Sequence, residues 1–284
     1  LKQSIIATTA YVLISLSLFS GCASRSLNNS PEEKKAEIYY DKGTANLVSQ
    51  NYTSAIDDLI KAFQFNPKSS KINNNLGMAY LFKGNQEKAF SHIQMAIELD
   101  SSNTDARSNL ASLYFTKKEY EKAEKIYLDI LKDLAYQTHY RTYYNLGLLS
   151  LKKNDENKAE QYFDLAIKEN SSYCPAHFQK GMIVFNKGFY SKALEVFKEG
   201  SLGTCYSEPA PHYQMALTYI ELRRYDDARD KLEFITTQFT KSKYATLAQI
   251  RFSRIKELKD NTEFKSVKSQ LEILKNDKNY TPDF

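Results

Sequence analysis

Three cysteines and four histidines are the side chains of this 284-residue chain best suited to metal, redox or nucleophilic chemistry. The histidines, His92, His139, His177 and His212, stand too far apart to make any metal-binding motif. There is no glycine-rich phosphate loop, no GxSxG and no CxxC. A general base, a nucleophile or a metal set must be held together to do chemistry, and none is legible. The expectation is a non-enzymatic chain with no catalytic residue, no metal, no cofactor and no small-molecule substrate. The cysteines divide differently: Cys22 follows an apolar leader, whereas Cys174 and Cys205 form an isolated pair.

The leader reads LKQSIIATTAYVLISLSLFSGCASRS, with Lys2, an apolar run from Ile5 to Phe19, and small residues before Cys22. This pattern predicts an export signal over residues 1–21. As a helix the run reaches roughly 22 Å, short of the ~30 Å hydrocarbon core, which argues against a permanent span. Phe19-Ser20-Gly21-Cys22 resembles the lipobox of bacterial lipoproteins, with Phe19 where Leu is usual. The resemblance implies acylation of Cys22, and Ala23 in place of Asp implies sorting to the outer membrane, facing the periplasm. Two or three acyl chains at ~0.8 kcal/mol per buried methylene hold a protein on a bilayer without a transmembrane helix. Residues 22–35 are polar and read as a lipidated flexible tether, roughly 20 Å in coil dimension.

The remainder needs elements that present a surface. Lys plus Arg number 39 against 34 Asp plus Glu, interspersed, so the net +5 makes no nucleic-acid stripe. Nine glycines and six prolines supply few turns, which points to helices with short connections. From residue 36 a small residue recurs at Gly43, Gly77, Ala111, Gly147, Gly181 and Ala216. An alanine follows each at Ala55, Ala89, Ala123, Ala159, Ala193 and Ala228. Four residues later stands a larger side chain: Leu59, Ile93, Tyr127, Phe163, Phe197 and Leu232. This resembles the tetratricopeptide repeat, most clearly in NLGMAY at 75–80, NLASLY at 109–114 and NLGLLS at 145–150. The resemblance implies an all-α, right-handed superhelical solenoid of about six repeats, 36–69, 70–103, 104–139, 140–173, 174–208 and 209–242. The small residues let two helices approach closely, and the larger one is expected to fill the gap toward the neighbouring hairpin. Residues 243–276 read as C-terminal capping helices and 277–284 as a tail.

Where such a repeat usually packs an aromatic ring this chain has Tyr39 and Tyr143, but Asn73, Arg107, His177 and His212 elsewhere. The two histidines therefore read as structural. In the same register Cys174 opens the first helix of repeat five and Cys205 follows its second, at the same end of an antiparallel pair. In an exported protein that placement predicts a disulfide.

The first helices should line an inner face on which the residues two before each small residue form a row: Asp41, Asn75, Asn109, Asn145, Gln179 and Gln214. A carboxamide both donates and accepts, as an extended peptide backbone requires. Beside it, apolar character grows toward repeats four to six, predicting a partner groove lined by Tyr144, Leu148, Phe178, Met182, Phe185, Tyr213 and Leu217, some of which must instead pack between helices.

Signal, lipobox, tether, six repeats and two cysteines around the fifth together resemble the PilF/PilW/Tgl family of type IV pilus pilotins. The resemblance implies an adaptor that binds the outer-membrane secretin subunit and assists its localisation and multimerisation. The competing expectation is an envelope scaffold for peptidoglycan hydrolases or for outer-membrane assembly.

Overall fold

A computed structural model describes residues 30–252, 254 and 255. The leader, Cys22, the tether before residue 30 and the second capping helix lie outside the described residues. Every described regular element is helical, and no described helix is long and apolar enough to cross a membrane. The chain divides after Asp100 into two compact units.

The first unit holds two hairpins: α1 (Pro31–Val48) with α2 (Tyr52–Phe65), and α3 (Ser70–Phe82) with α4 (Gln86–Leu99). α1 begins inside the stretch read as tether. Ser30 Oγ accepts from the Glu33 N–H while Glu33 accepts from the Ser30 N–H, at 3.1 and 2.8 Å. This reciprocal cap, with Pro31 at the first position, starts the helix five residues before the apolar pattern becomes visible.

The second unit continues with α5 (Thr104–Thr116), α6 (Tyr120–Ile130), α7 (His139–Lys152), α8 (Glu156–Glu169), α9 (Cys174–Asn186), α10 (Tyr190–Glu199), α11 (Pro209–Glu221) and α12 (Tyr225–Gln238). A short 3₁₀ segment, Gly203–Ser207, links α10 to α11. Residues 243–252 are helical; Ala248 is buried there, and Tyr244 packs against Tyr213 at 5.5 Å.

All six intra-hairpin turns use one geometry. The residue seven after each small residue has positive φ: Gln50, Gly84, Lys118, Asn154, Gly188 and Arg223, from 56° to 86°. The next N–H reaches back across the turn in every case, as in Asn85 to Tyr80 at 2.9 Å and Asp155 to Ser150 at 2.9 Å. That left-handed cap satisfies helix-end carbonyls, and glycine is the residue that adopts it without strain. Only two of the six positions are glycine, so the turn is imposed by the packing of the helices it joins.

The core is built from the repeated small and large residues. Ala55, Ala89, Ala123, Ala159, Ala193 and Ala228 are fully buried, as are Leu59, Ile93, Phe163, Phe197 and Leu232. Their placement differs from expectation in one respect. The large residue packs on the small residue of its own hairpin: a Cβ on Gly77 would meet Ile93 at 2.6 Å, and one on Gly43 would meet Leu59 at 2.6 Å. It closes the hairpin from within rather than bridging only to its neighbour.

Candidate partner-binding surface

The first helices of successive repeats touch one another, α1 on α3 in the first unit, α5 on α7 and α9 on α11 in the second. This brings the amide row together within each unit. Asp41 is exposed, whereas Asn75, Asn109, Asn145, Gln179 and Gln214 are partly buried. Two of the carboxamides are held by a tyrosine of the preceding repeat. Asn75 Nδ2 donates to Thr44 Oγ1 at 2.9 Å and to Tyr40 Oη at 3.3 Å. Gln179 hydrogen-bonds the Tyr144 hydroxyl. Tyr40 and Tyr144 each stand one residue before their own repeat's row position, so the same contact recurs wherever a tyrosine is available. The row is thus partly a set of repeat-to-repeat fasteners as well as a line of donors.

The apolar positions sort by depth. Tyr144 and Leu148 are partly buried against the cluster of Phe163, Ala166 and Ala176. Phe178, Met182, Phe185 and Leu217 are partly buried against the larger cluster of repeats five and six. Tyr213 differs: it is buried and belongs to that core itself. Ring contacts account for the rest, Phe178 with Phe197 at 6.2 Å and Phe185 with Tyr190 at 5.2 Å. The residues expected to line a groove are thus, Tyr213 apart, the partly buried margin of a packed core.

Sequence reasoning missed a tyrosine group at the start of repeats four and five. Tyr173 meets Tyr140 and Tyr144 edge-on at 4.8 and 5.4 Å. The signal was present, since Tyr140 lies one helical turn before Tyr144 and so shares its face. Tyr173, however, caps the next first helix and joins only through the inter-repeat loop.

That loop is held in a recurrent way. His177 Nε2 donates to Ser171 O and His212 Nε2 to Tyr206 O, both at 2.9 Å; Asn73 Nδ2 donates to Pro67 O at the same distance. In all three the residue at the expected aromatic position binds the carbonyl six residues back. Both histidines are buried, and their Nδ1 atoms have no partner among the described residues, while Nε2 carries the proton that the loop carbonyl accepts. Burial, then Lys231, lowers the pKa of His212.

Cys174 and Cys205 are joined, with Cα atoms 5.5 Å apart, which ties the two ends of hairpin five together beside the His177 and His212 contacts. Among the described residues no group of three or more His, Cys, Asp or Glu could hold a metal ion. Tyr127, its phenol pushed up to about 12 by burial, pairs with Ser112 Oγ at 2.9 Å as a core contact.

The fold is of the tetratricopeptide-repeat class. The family model described as tetratricopeptide repeat matches residues 70–103, 104–132 and 140–173. Within that class the chain resembles, in fold, the PilF and PilW type IV pilus proteins. Pseudomonas aeruginosa PilF superposes with a TM-score of 0.61 at 19% identity, over 78% of this chain and 99% of PilF. PilW, a widely conserved type IV pilus biogenesis factor, superposes at 0.62 with 16% identity, over 75% of this chain and 98% of PilW. A chain of the APC/C hetero-tetramer Cut9-Hcn1 superposes at 0.64 with 16% identity, over 80% of this chain and 44% of that chain. No curated protein matches.

Proposed function

We propose that this chain is a protein-binding adaptor of type IV pilus biogenesis, acting as a pilotin that assists the localisation and multimerisation of the outer-membrane secretin. The observation that carries the reading is the likeness to PilF, which spans 99% of that chain, joined to a lipobox-like Cys22 ahead of the repeats. In this reading Cys22 is acylated and holds the protein on the periplasmic face of the outer membrane. The first helices of repeats four to six then receive a segment of the secretin subunit, with the amide row engaging its backbone and the rim formed by Leu148, Phe178 and Met182 its apolar side chains.

Crosslinking in cells, followed by identification of the captured protein, tests the proposal. A heat-stable, ring-forming channel subunit is the expected capture. A murein hydrolase captured in its absence overturns the secretin assignment in favour of an envelope scaffold. Palmitate labelling that is lost in Cys22→Ser checks the anchor independently.

A further inference from the structure

The second helix of hairpin five stops short. α10 is 10 residues long, where α2, α4, α8 and α12 have 14. It ends at Gly200, which stands in the register of the buried alanines Ala62, Ala96 and Ala166. A Cβ on Gly200 would meet Cβ of His177 at 2.5 Å, so glycine is what lets the two approach. Gly203 follows at φ 56°, and two glycines so close end a helix rather than extend it. The connection to α11 therefore runs over 200–208, longer than the connections 66–69 and 170–173. In those shorter connections a side-chain bond from Asn73 or His177 holds the loop carbonyl.

Residues 202–208 are tied largely to themselves. The Cys205 N–H donates to Leu202 O and the Glu208 N–H to Cys205 O, both at 3.0 Å, and Ser207 Oγ donates to Thr204 O at 3.2 Å. Among the described residues, their polar and ring attachments to neighbouring helices are the bridge at Cys205, the His212 bond to Tyr206 O at 2.9 Å, and the Tyr206 ring on His212 and Phe234, each at 5.5 Å. Leu202 and Tyr206 are 67% and 55% exposed, so apolar burial holds them weakly. Beneath Tyr206, Phe234 stands 4.9 Å from His212 and 5.8 Å from Phe239, and Phe239 stacks on His212 at 5.7 Å. These rings form an aromatic nest with Tyr206 as its cover. Ordering the segment restricts the backbone at every residue, and the covalent link is the attachment that offsets this.

We propose that residues 202–208 form a redox-released strap: with Cys174 and Cys205 joined, Tyr206 is clamped on the nest of His212, Phe234 and Phe239, and reduction by a dithiol lifts the strap and bares the nest while the hairpins stay folded. Cys205 is 1% exposed and Cys174 only partly buried, so the incoming thiolate attacks Cys174 Sγ. The S–S bond breaks, and Cys205 Sγ leaves with the electron pair and takes up a proton beside Ser172 O, 3.5 Å away. The second thiol of the reductant, deprotonated, then displaces Cys174 from the mixed disulfide. The dithiol ends as its own disulfide, and the two protons it sheds end on Cys174 and Cys205. Hairpins five and six keep a core that does not include the bridge, with Val184, Ala193, Phe197, Ala216 and Leu232 buried together. The strap lies outside the amide row, and the inference stands independently of the adaptor reading.

Hydrogen exchange read by mass spectrometry tests this on the oxidised full chain, the same chain reduced with dithiothreitol, and Cys174→Ala/Cys205→Ala. Amides of 202–208 should be protected in the oxidised chain and exchange at least ~10-fold faster in the other two, close to the unstructured rate, while core amides of α10 and α11 remain protected. Because the chain has no Trp, Tyr206→Trp supplies a single probe whose emission should shift to the red on reduction and return on re-oxidation. Strap amides unprotected before reduction, or still protected after it, overturn the proposal, as does an unchanged Trp emission. Loss of protection in α10 and α11 together with the strap also overturns it, since the bridge would then staple the whole hairpin rather than hold a strap.

Discussion

A Cβ placed on Gly147 would stand 2.5 Å from Cε1 of Phe163, and that ring is fully buried. The hairpin of α7 and α8 closes because one residue has no side chain and the other has a large flat one. Gly147→Ala should therefore destabilise by about 1–3 kcal/mol through overpacking. Shrinking the ring in Gly147→Ala/Phe163→Leu should cost less than the sum of the single changes, a coupling that a thermal-melt double-mutant cycle measures. Strict additivity would contradict the contact.

The turns predict the opposite sign. Lys118 and Arg223 occupy left-handed backbone at φ 62° and 56°, where a non-glycine residue is strained by about 1–2 kcal/mol. Glycine relieves the strain but adds freedom to the unfolded chain, so Lys118→Gly and Arg223→Gly should each stabilise by up to about 1 kcal/mol. Gly84→Ala, at φ 86° with nothing near the added methyl, should destabilise by a similar amount. Urea midpoints report all three.

Acid sensitivity follows from His212. Its pKa is lowered in the folded state, chiefly by burial, so the unfolded chain takes up the proton more readily. The associated stability is fully present above pH ~6.5 and is lost as pH falls through the folded value. His212→Asn should flatten this slope between pH 7.5 and 5.5 while keeping the loop tie, because Asn73 makes that same contact six residues back. An unchanged slope of unfolding free energy against pH would assign the acid sensitivity to other groups.

Reduction of the bridge should be felt strongly. Cys174 and Cys205 lie 31 residues apart in sequence, and on the chain-entropy model closing such a loop contributes about 3–4 kcal/mol. Thermal melts of the wild type with and without reductant, compared with Cys174→Ser/Cys205→Ser, should show a large loss in the reduced and mutant forms alike.

Repeat-to-repeat ion pairs should matter less. Glu124 contacts Lys153 at 2.7 Å and Lys158 at 3.1 Å, and Glu160 likewise contacts Lys187 at 2.8 Å. Lys153 is the largest influence lowering the Glu124 pKa, so this stabilisation is present above the ordinary carboxylate range and lost as pH falls below it. Glu124→Gln should cost no more than ~1 kcal/mol at neutral pH, and less in high salt.

Much of this was legible before any coordinates. A period of 34 to 36 residues in small and large apolar positions determined the helical hairpins, since only side chains of those sizes let two helices meet at that spacing. The cysteine pairing followed from the same register. The amide row was visible too, but not its second use: Asn75 with Tyr40, and Gln179 with Tyr144, are contacts between neighbouring repeats.

What the sequence determined by itself was therefore the repeat, because periodicity is a local property and each hairpin is specified by residues close in the chain. What tertiary structure decided was exposure and partnership. Tyr213 sits in the core although its register suits the groove, Tyr173 joins a ring cluster from a neighbouring hairpin, and His177 and His212, read as structural from their register, act so by binding loop carbonyls. Those outcomes depend on how successive hairpins stack, and a one-dimensional pattern does not encode which of two adjacent repeats buries a given side chain.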